Sequence, residues 1–481
     1  MNRLVLVSFI VLAFWVPQLS FAEPLHVGAS AIDITPPKNV ALWGQFHLRY
    51  STSPETPLTA NIVALKSGDT QATLVSVDLL HYPDEFLQKV RDNVAKKDPS
   101  IDPAHIMITA THTHTAPVLP INTPGIPEDD KTMSPLETQI FIADRISDGI
   151  VAAWKNLAPG KMCYGLDRTS IGFGRRVCYA DGHAQMYGNT NQPDFVNLEG
   201  MDDDDLGAIY FLDASDKVKA IIVDVACTAQ VVEGQSRVNA DFWHPCRIAL
   251  KKRFGEDVTI LGWSSPAGDM SPRPLVHKEA NARMRRLRGI NEMDEITRRI
   301  GIAVDQIWQA ASTEKFDQPI FKCRVEKIDL PLNKITEAQY LESKANYESC
   351  EKTIQEKKNQ DIGSAFMGRN WYKGVVDRYE ELQKNPNATR TVEIFVIRLG
   401  DLVIASNPFE LYTEYGIRIK ARSKATQTFT VQMTGFGSYL PTARAQAGGH
   451  YSAIPQSNIV GPEGGQKLVD ETVRIIGELW Q

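Results

Sequence analysis

Three pairs of short, β-branched apolar runs, each joined by a tight turn, constrain this chain more than any other feature. "NIVALKS" and "TLVSVDLL" meet through Gly68-Asp69, "GAIYFL" and "VKAIIVDVA" across Asp213–Asp216, and "VEIFVIRL" and "LVIAS" through Gly400-Asp401. Runs of this length bounded by Gly and Asp read as β-hairpins, because those turn residues accept the positive φ that a short connection imposes. Stretches with helical periodicity separate the pairs, at about 137–157, 241–254, 279–310, 336–359, 409–423 and 466–480. Strands and helices in this order predict an α/β protein with a mixed β-sheet core and flanking helices.

The segments after the strands are chemically unusual. "HIMITA" runs into His112 and His114, "VTILGW" into "SSPAGDMSP", "LVIAS" into "NPFE", and "TFTVQMT" into "GFGSYLP". Ligands of α/β sheets collect beyond the carboxyl ends of strands, where loops are free to differ. Four exits carrying His, Ser, Glu and Tyr beside Gly or Pro therefore point to one polar site.

Composition narrows the classes. With 43% hydrophobic and 23% charged residues the chain is globular, and a net charge of −6 over 481 residues sets up no field that would bind nucleic acid. Residues 1–22, with Arg3, the run "LVLVSFIVLAFWV" and the small-x-small "SFA", read as a signal peptide cut after Ala22, so export to the periplasm or the medium is expected. The run is short for a membrane span of ~20 residues, and no later segment reads as transmembrane. No linker or repeat divides 23–481, which is read as a single domain, or as two tightly fused halves. The cysteines at 163, 178, 227, 246, 323 and 350 contain no C-x-x-C pair, which argues against a cysteine zinc cage.

Each candidate side chain also has an ordinary use. His112 and His114, two apart in an extended segment, would face the same way and could bind one metal, or be hydrogen-bonded surface imidazoles. His244 in "NADFWHPCRIAL" falls in the first turn of a helix capped by Asp241, where unsatisfied donors face ligands, or it packs on Trp243. Glu410 fits a metal ligand or a helix-start carboxylate, and Tyr439 a ligand or a buried phenol. Ser271 lies in "AGDMSPRP", a rigid Gly/Pro loop without a Gly-x-Ser-x-Gly elbow, and needs a base or metal to act as nucleophile. The basic stretch "ARMRRLRGINEMDEITRRI" is either a solvated helix face or a lipid-headgroup surface.

Together these segments resemble the neutral ceramidase family at the level of its N-terminal catalytic domain. "VGASAIDITPP" is similar to the family's opening, "TATHTHTAP" to its histidine segment, "AGDMSP" to its nucleophile loop, "GSYLPTARAQAGGHY" to its tyrosine segment and "VGPEGGQKLVDETV" to the close of that domain. The resemblance implies a zinc-dependent amidase cleaving an N-acyl bond with a metal-activated serine, acting on ceramide or a related N-acyl compound, lipid or soluble. It implies His112, Glu410 and Tyr439 as zinc ligands, His114 beside the reacting group, Ser271 as nucleophile, Tyr451 at the oxyanion and Arg175, in "GFGRR", near the substrate's polar end. Two departures stand out. Where the family carries a further histidine ligand the matching position, in "VDVACTAQ", is Thr228, so His244 is expected to supply that imidazole, with Asp241 in reserve. The chain also ends where ceramidases continue into a C-terminal β-sandwich domain. Asp78 could reach a second ion. Another amide or ester hydrolase, acting for example on an acylated sugar, and a binding protein that has lost turnover, remain open, as do peripheral membrane contact and oligomeric state.

Overall fold

The computed structural model describes residues 23–120, 123, 126, 129–356 and 363–481, without the side chain of residue 363; the signal peptide expected over 1–22 lies outside them. The main sheet has eight strands: β1 (His26–Asp33), β2 (Thr59–Ser67), β3 (Thr70–Val77), β4 (Ile106–Ala110), β5 (Ala158–Arg168), β6 (Asp205–Asp213), β7 (Val218–Val225) and β8 (Thr259–Ser264). Their spatial order is β8-β7-β6-β5-β1-β2-β3-β4. Neighbours are antiparallel except at the two ends, where β3 and β4 run parallel and so do β7 and β8. A second sheet of four strands is built from β9 (Phe321–Pro331), β10 (Thr389–Leu399), β11 (Leu402–Ser406) and β12 (Gln427–Val431), with β11 and β12 parallel.

All three expected hairpins form, as β2–β3, β6–β7 and β10–β11, with Gly68, Asp216 and Gly400 at positive φ in the turns. The continuous apolar runs follow from burial on both faces. On one face Ile62, Ala64 and Val75 pack against α1 (Asp84–Lys97) and α2 (Pro135–Lys155). The alternate residues Val63, Leu65 and Leu74 turn the other way and meet Phe395, Ile397, Ile404 and Phe429 of the second sheet. The other half of the main sheet is covered by α3 (Trp243–Phe254) and α5 (Glu292–Ala311), and the outer face of the second sheet by α8 (Thr413–Arg422) and α9 (Pro462–Leu479). The layers run helix, sheet, sheet, helix.

Several helix expectations shift. The periodic stretch 279–310 is two helices, α4 (Lys278–Arg288) and α5, because Gly289 takes a left-handed conformation at φ 67° and Asn291 with Asp294 starts a fresh capping box. The stretch from 409 becomes helical only at Thr413, since Glu410–Leu411 pairs as a strand. Among the described residues three α-helices were not anticipated: α1, α7 (Gly363–Lys384), which follows α6 (Glu337–Glu356), and a short one at Ala443–Gly448; yet Phe86, Val90 and Val94, spaced by four, are the buried stripe of α1.

The exits of β4, β8, β11 and β12 are stitched together by one side chain. Gln432, wholly buried, accepts from the backbone N–H of Ala267 (3.2 Å) and of Leu411 (3.1 Å) through Oε1, and donates from Nε2 to Ser264 Oγ (3.0 Å). Its carbonyl accepts from Thr109 Oγ1 at the end of β4. Gln432→Leu would leave two buried amides without acceptors, each costing about 1–3 kcal/mol. Chemical denaturation should report a loss of roughly 2–4 kcal/mol at unchanged m-value; a loss below about 1 kcal/mol would remove the stitch from the account.

Candidate active site

The exits of β4, β11 and β12 line a cavity of about 160 Å³, with His112, His114, Glu410, Tyr439 and Tyr451 in its wall. His112 does not reach it along an extended strand. Its backbone is left-handed, at φ 62°, which turns its ring to within 4.9 Å of that of His114, edge to face. The two imidazoles face one cavity as expected, but through a strained turn rather than strand periodicity. The approach also needs Gly44, at φ 102°, where a Cβ would come within 2.6 Å of the His114 ring.

His112 Nδ1 donates to the carbonyl of Leu80 at 3.0 Å, which leaves the lone pair of Nε2 facing Glu410 Oε2, 3.4 Å away. Burial lowers the His112 pKa against the pull of Glu410, so the ring is neutral near pH 7. Glu410 is not a helix cap: Glu410–Leu411 forms a short parallel bridge with Tyr439–Leu440, in which Glu410 is the direct partner of Tyr439. Burial and then the Glu410 charge hold the Tyr439 phenol well above its ordinary value. Tyr451 packs edge to face on Tyr439 with ring centres 5.5 Å apart, and burial, then Glu410, pushes its phenol up to about 12.

His114 is neutral as well, because burial lowers its pKa strongly. Its Nε2 lies 2.5 Å from Nε2 of Gln230, whose Oε1 already accepts from Thr228 Oγ1, and its Nδ1 faces Glu233 Oε2 at 3.6 Å. The Gln230 amide therefore donates to His114, whose own proton sits on Nδ1. Arg175 is buried behind the tyrosines and donates to Gly268 O (2.8 Å), Tyr439 Oη (3.3 Å), Tyr187 Oη (3.3 Å) and Gln230 Oε1 (3.4 Å). Ser271, fully buried, belongs to the bridge Met270–Ser271 with Phe173–Gly174 and is not part of the cavity lining. Its Oγ accepts from Tyr187 Oη at 3.3 Å and from the Arg273 N–H at 3.2 Å, so it connects to the cavity through Tyr187 and Arg175. The loop that carries it crosses so close to Glu410 that a Cβ on Gly268 would lie 2.3 Å from the Glu410 carbonyl oxygen.

His244 is not brought to this cavity. It lies in the first turn of α3, and the charged groups it feels are Arg247 and Asp78. The reason is helix placement: α3 packs its Trp243, Cys246 and Leu250 into the core beneath β7 and β8, away from the exits. Asp241 is also committed elsewhere. It precedes the capping residue Phe242, and its carboxylate accepts from the amides of Val232 (2.8 Å) and Phe242 (2.7 Å) while burial pushes its pKa up to about 6. Asp78 is closed off by both Arg247 guanidinium nitrogens, at 2.7 and 2.8 Å, and by Thr59 and Thr111, leaving no lone pair for a second ion. All six cysteines are free thiols.

Among the described residues no three His, Cys, Asp or Glu side chains gather as a metal cluster. His112, Glu410 and the phenol of Tyr439 would hold a metal here, with His81 also lining the cavity. The His112 Nε2–Glu410 Oε2 distance of 3.4 Å matches the separation of about 3.4 Å between two ligands at ~2.0–2.1 Å from a tetrahedral zinc. Sequence reasoning missed four groups here. His81 lines the cavity, its ring 4.1 Å from Trp43 and 5.1 Å from Phe436, and burial, then His112, drives its pKa down to about 3. Gln230, Glu233 and Tyr187 are the others. His81 follows β3 in "DLLHYP", so the strand-exit rule applied to that strand would have found it.

The architecture is a four-layered arrangement of helices and two sheets with its polar cavity at the ends of parallel strand pairs. Two solved structures share that fold: a ceramidase complexed with C2 (TM-score 0.69) and the neutral ceramidase from Pseudomonas aeruginosa (TM-score 0.67), each at 16% identity, covering 95% of this chain and 75% of the other. The fold is thus that of neutral ceramidases, while no sequence-family description and no curated protein matches the chain.

Proposed function

We infer that the protein is a zinc-dependent amidohydrolase of ceramidase type, cleaving the N-acyl bond of ceramide or a related N-acyl compound. The observation that carries this is the meeting of His112 Nε2, Glu410 and Tyr439 in one cavity, with the first two 3.4 Å apart and the last two held in register. The apolar mouth of the same cavity, formed by Trp43, Phe46 and Met367, suits an acyl chain above a polar floor.

Zinc held by His112, Glu410 and Tyr439 would polarise the scissile carbonyl and lower the proton affinity of a hydroxyl brought to it. Ser271 supplies the nucleophile once Tyr187 swings off its Oγ. Tyr451 keeps its proton at neutral pH and donates a hydrogen bond to the carbonyl oxygen as that oxygen gains charge. His114, neutral with its proton on Nδ1 toward Glu233, takes up the Ser271 hydroxyl proton on Nε2 once Gln230 releases that nitrogen, and hands it on to the departing nitrogen. Arg175 keeps Tyr439 and the Ser271 loop at a fixed distance through its bonds to both.

A substrate panel tests the reading. Fatty acid release from short-chain ceramide is expected to exceed release of acyl groups from N-acetylated sugars and N-acyl amino acids. Turnover confined to the soluble compounds would remove ceramide, and no turnover of any amide by zinc-loaded protein would remove the amidase.

A further inference from the structure

The two loops that carry Glu410 and Tyr439 into the active site also wall a second cavity, of about 300 Å³ against 160 Å³. Pro408 follows β11, and Thr434, Gly435 and Phe436 follow β12. Those strands are parallel, so the second cavity also lies beyond their carboxyl ends, where α/β sheets collect ligands. Its remaining walls come from α1, through Leu87 and Arg91, and from β9 and β10, through Lys327, Arg390, Val392 and Glu393. The Phe436 ring stacks on that of His81, with centres 5.1 Å apart, and His81 lines the active cavity. The two cavities are thus neighbours with different linings.

The charges of the second cavity do not cancel. Arg91 closes on Glu393 with two nitrogens, at 2.6 and 3.4 Å, and Arg390 reaches Asp84 at 3.4 Å. Lys327 stands directly opposite Glu393 across β9 and β10, so both side chains lie on one face, yet among the described residues the lysine makes no ion pair. Thr434 adds an independent sign. It is only 6% exposed, and its Oγ1 has no hydrogen-bond partner, a condition that folded proteins leave to few buried groups. Leu87, Val392, Pro408 and Phe436 supply apolar surface in the same cavity. A carboxylate suits the polar part, with one negative charge for one uncommitted ammonium and lone pairs for a hydroxyl donor. An apolar body on that carboxylate suits the rest. Inorganic phosphate would leave the apolar wall bare, and a polyanion would meet Asp84 and Glu393. The volume lies at the small end of ligand pockets, roughly 300–1,000 Å³.

We propose that this second cavity binds a small, water-soluble monocarboxylate with an aromatic or branched apolar body, its carboxylate held by Lys327 and the Thr434 hydroxyl. The inference does not rest on the amidase reading, because binding is read without turnover. Phenylacetate is titrated into the protein by calorimetry after divalent metals are chelated, so that the carboxylate has no ion to sit on at His112. Saturable binding at one site is expected, with the uncharged phenylacetamide at least about tenfold weaker. Lys327→Gln should weaken phenylacetate about tenfold and leave phenylacetamide unchanged. Thr434→Val should weaken phenylacetate about fivefold, while the protein without ligand unfolds at or above the parental temperature, since the change removes an unpartnered hydroxyl. His112→Ala, altered in the active cavity, should bind phenylacetate like the parent. No saturable binding up to about 10 mM, equal affinity for the acid and the amide, or a Lys327→Gln variant that binds like the parent overturns the proposal. So does competition by equimolar inorganic phosphate, which would leave the apolar wall without a part. A Thr434→Val protein that unfolds at a lower temperature would show the hydroxyl to be engaged within the fold and overturns it too. Loss of binding in His112→Ala would place the probe in the active cavity, with the same consequence.

Discussion

Ser271→Ala is expected to cut amide turnover by at least about 10³-fold, with zinc content and cooperative unfolding unchanged. The hydroxyl is wholly buried in a two-residue bridge and accepts from the Tyr187 phenol and the Arg273 amide. Removing it deprives those two donors of an acceptor, a stability cost of about 1–3 kcal/mol that leaves the fold intact. The side chain touches neither His112 nor Glu410, so metal content has no reason to fall. A substituted enzyme that turned over at the parental rate would overturn Ser271 as the proposed nucleophile. Substitution of Tyr187 by Phe separates the roles further, since it removes the donor to Ser271 Oγ and keeps the ring.

With zinc bound as proposed, His112→Ala is expected to lower its affinity by more than roughly 100-fold, because loss of even an outer partner of a ligand costs 10–100-fold. Turnover should vanish with the metal. His244→Ala is expected to keep parental zinc, as its imidazole belongs to the first turn of α3 beside Arg247 and Asp78. Metal analysis of both purified variants decides this. Zinc lost from His244→Ala and retained in His112→Ala would overturn the ligand set built on His112, Glu410 and Tyr439.

Much of the scaffold was legible because its signals are local. The three hairpins came from runs of β-branched residues and from Gly68, Asp216 and Gly400 in the turns. Helices α2, α3, α6 and α9 came from periodicity close to the observed bounds. What escaped at this level was the bridge Glu410–Leu411, whose partner lies at Tyr439–Leu440, and the break at Gly289, where one glycine outweighs a continuing periodic pattern.

The amino-acid order alone determined the mixed α/β core and the exits that carry His112, His114, Ser271, Glu410 and Tyr439, since hydrophobic period and turn chemistry act over a few residues. Only the tertiary structure decided which of these meet. It set His112 in a left-handed turn against Glu410, placed Ser271 behind Tyr187, committed His244 and Asp241 to the start of α3, and added His81, Gln230 and Glu233 to the site. The reason is that contacts between loops some hundred or more residues apart are fixed by how the two sheets stack, through side chains such as Gln432, and no short-range pattern encodes that stacking.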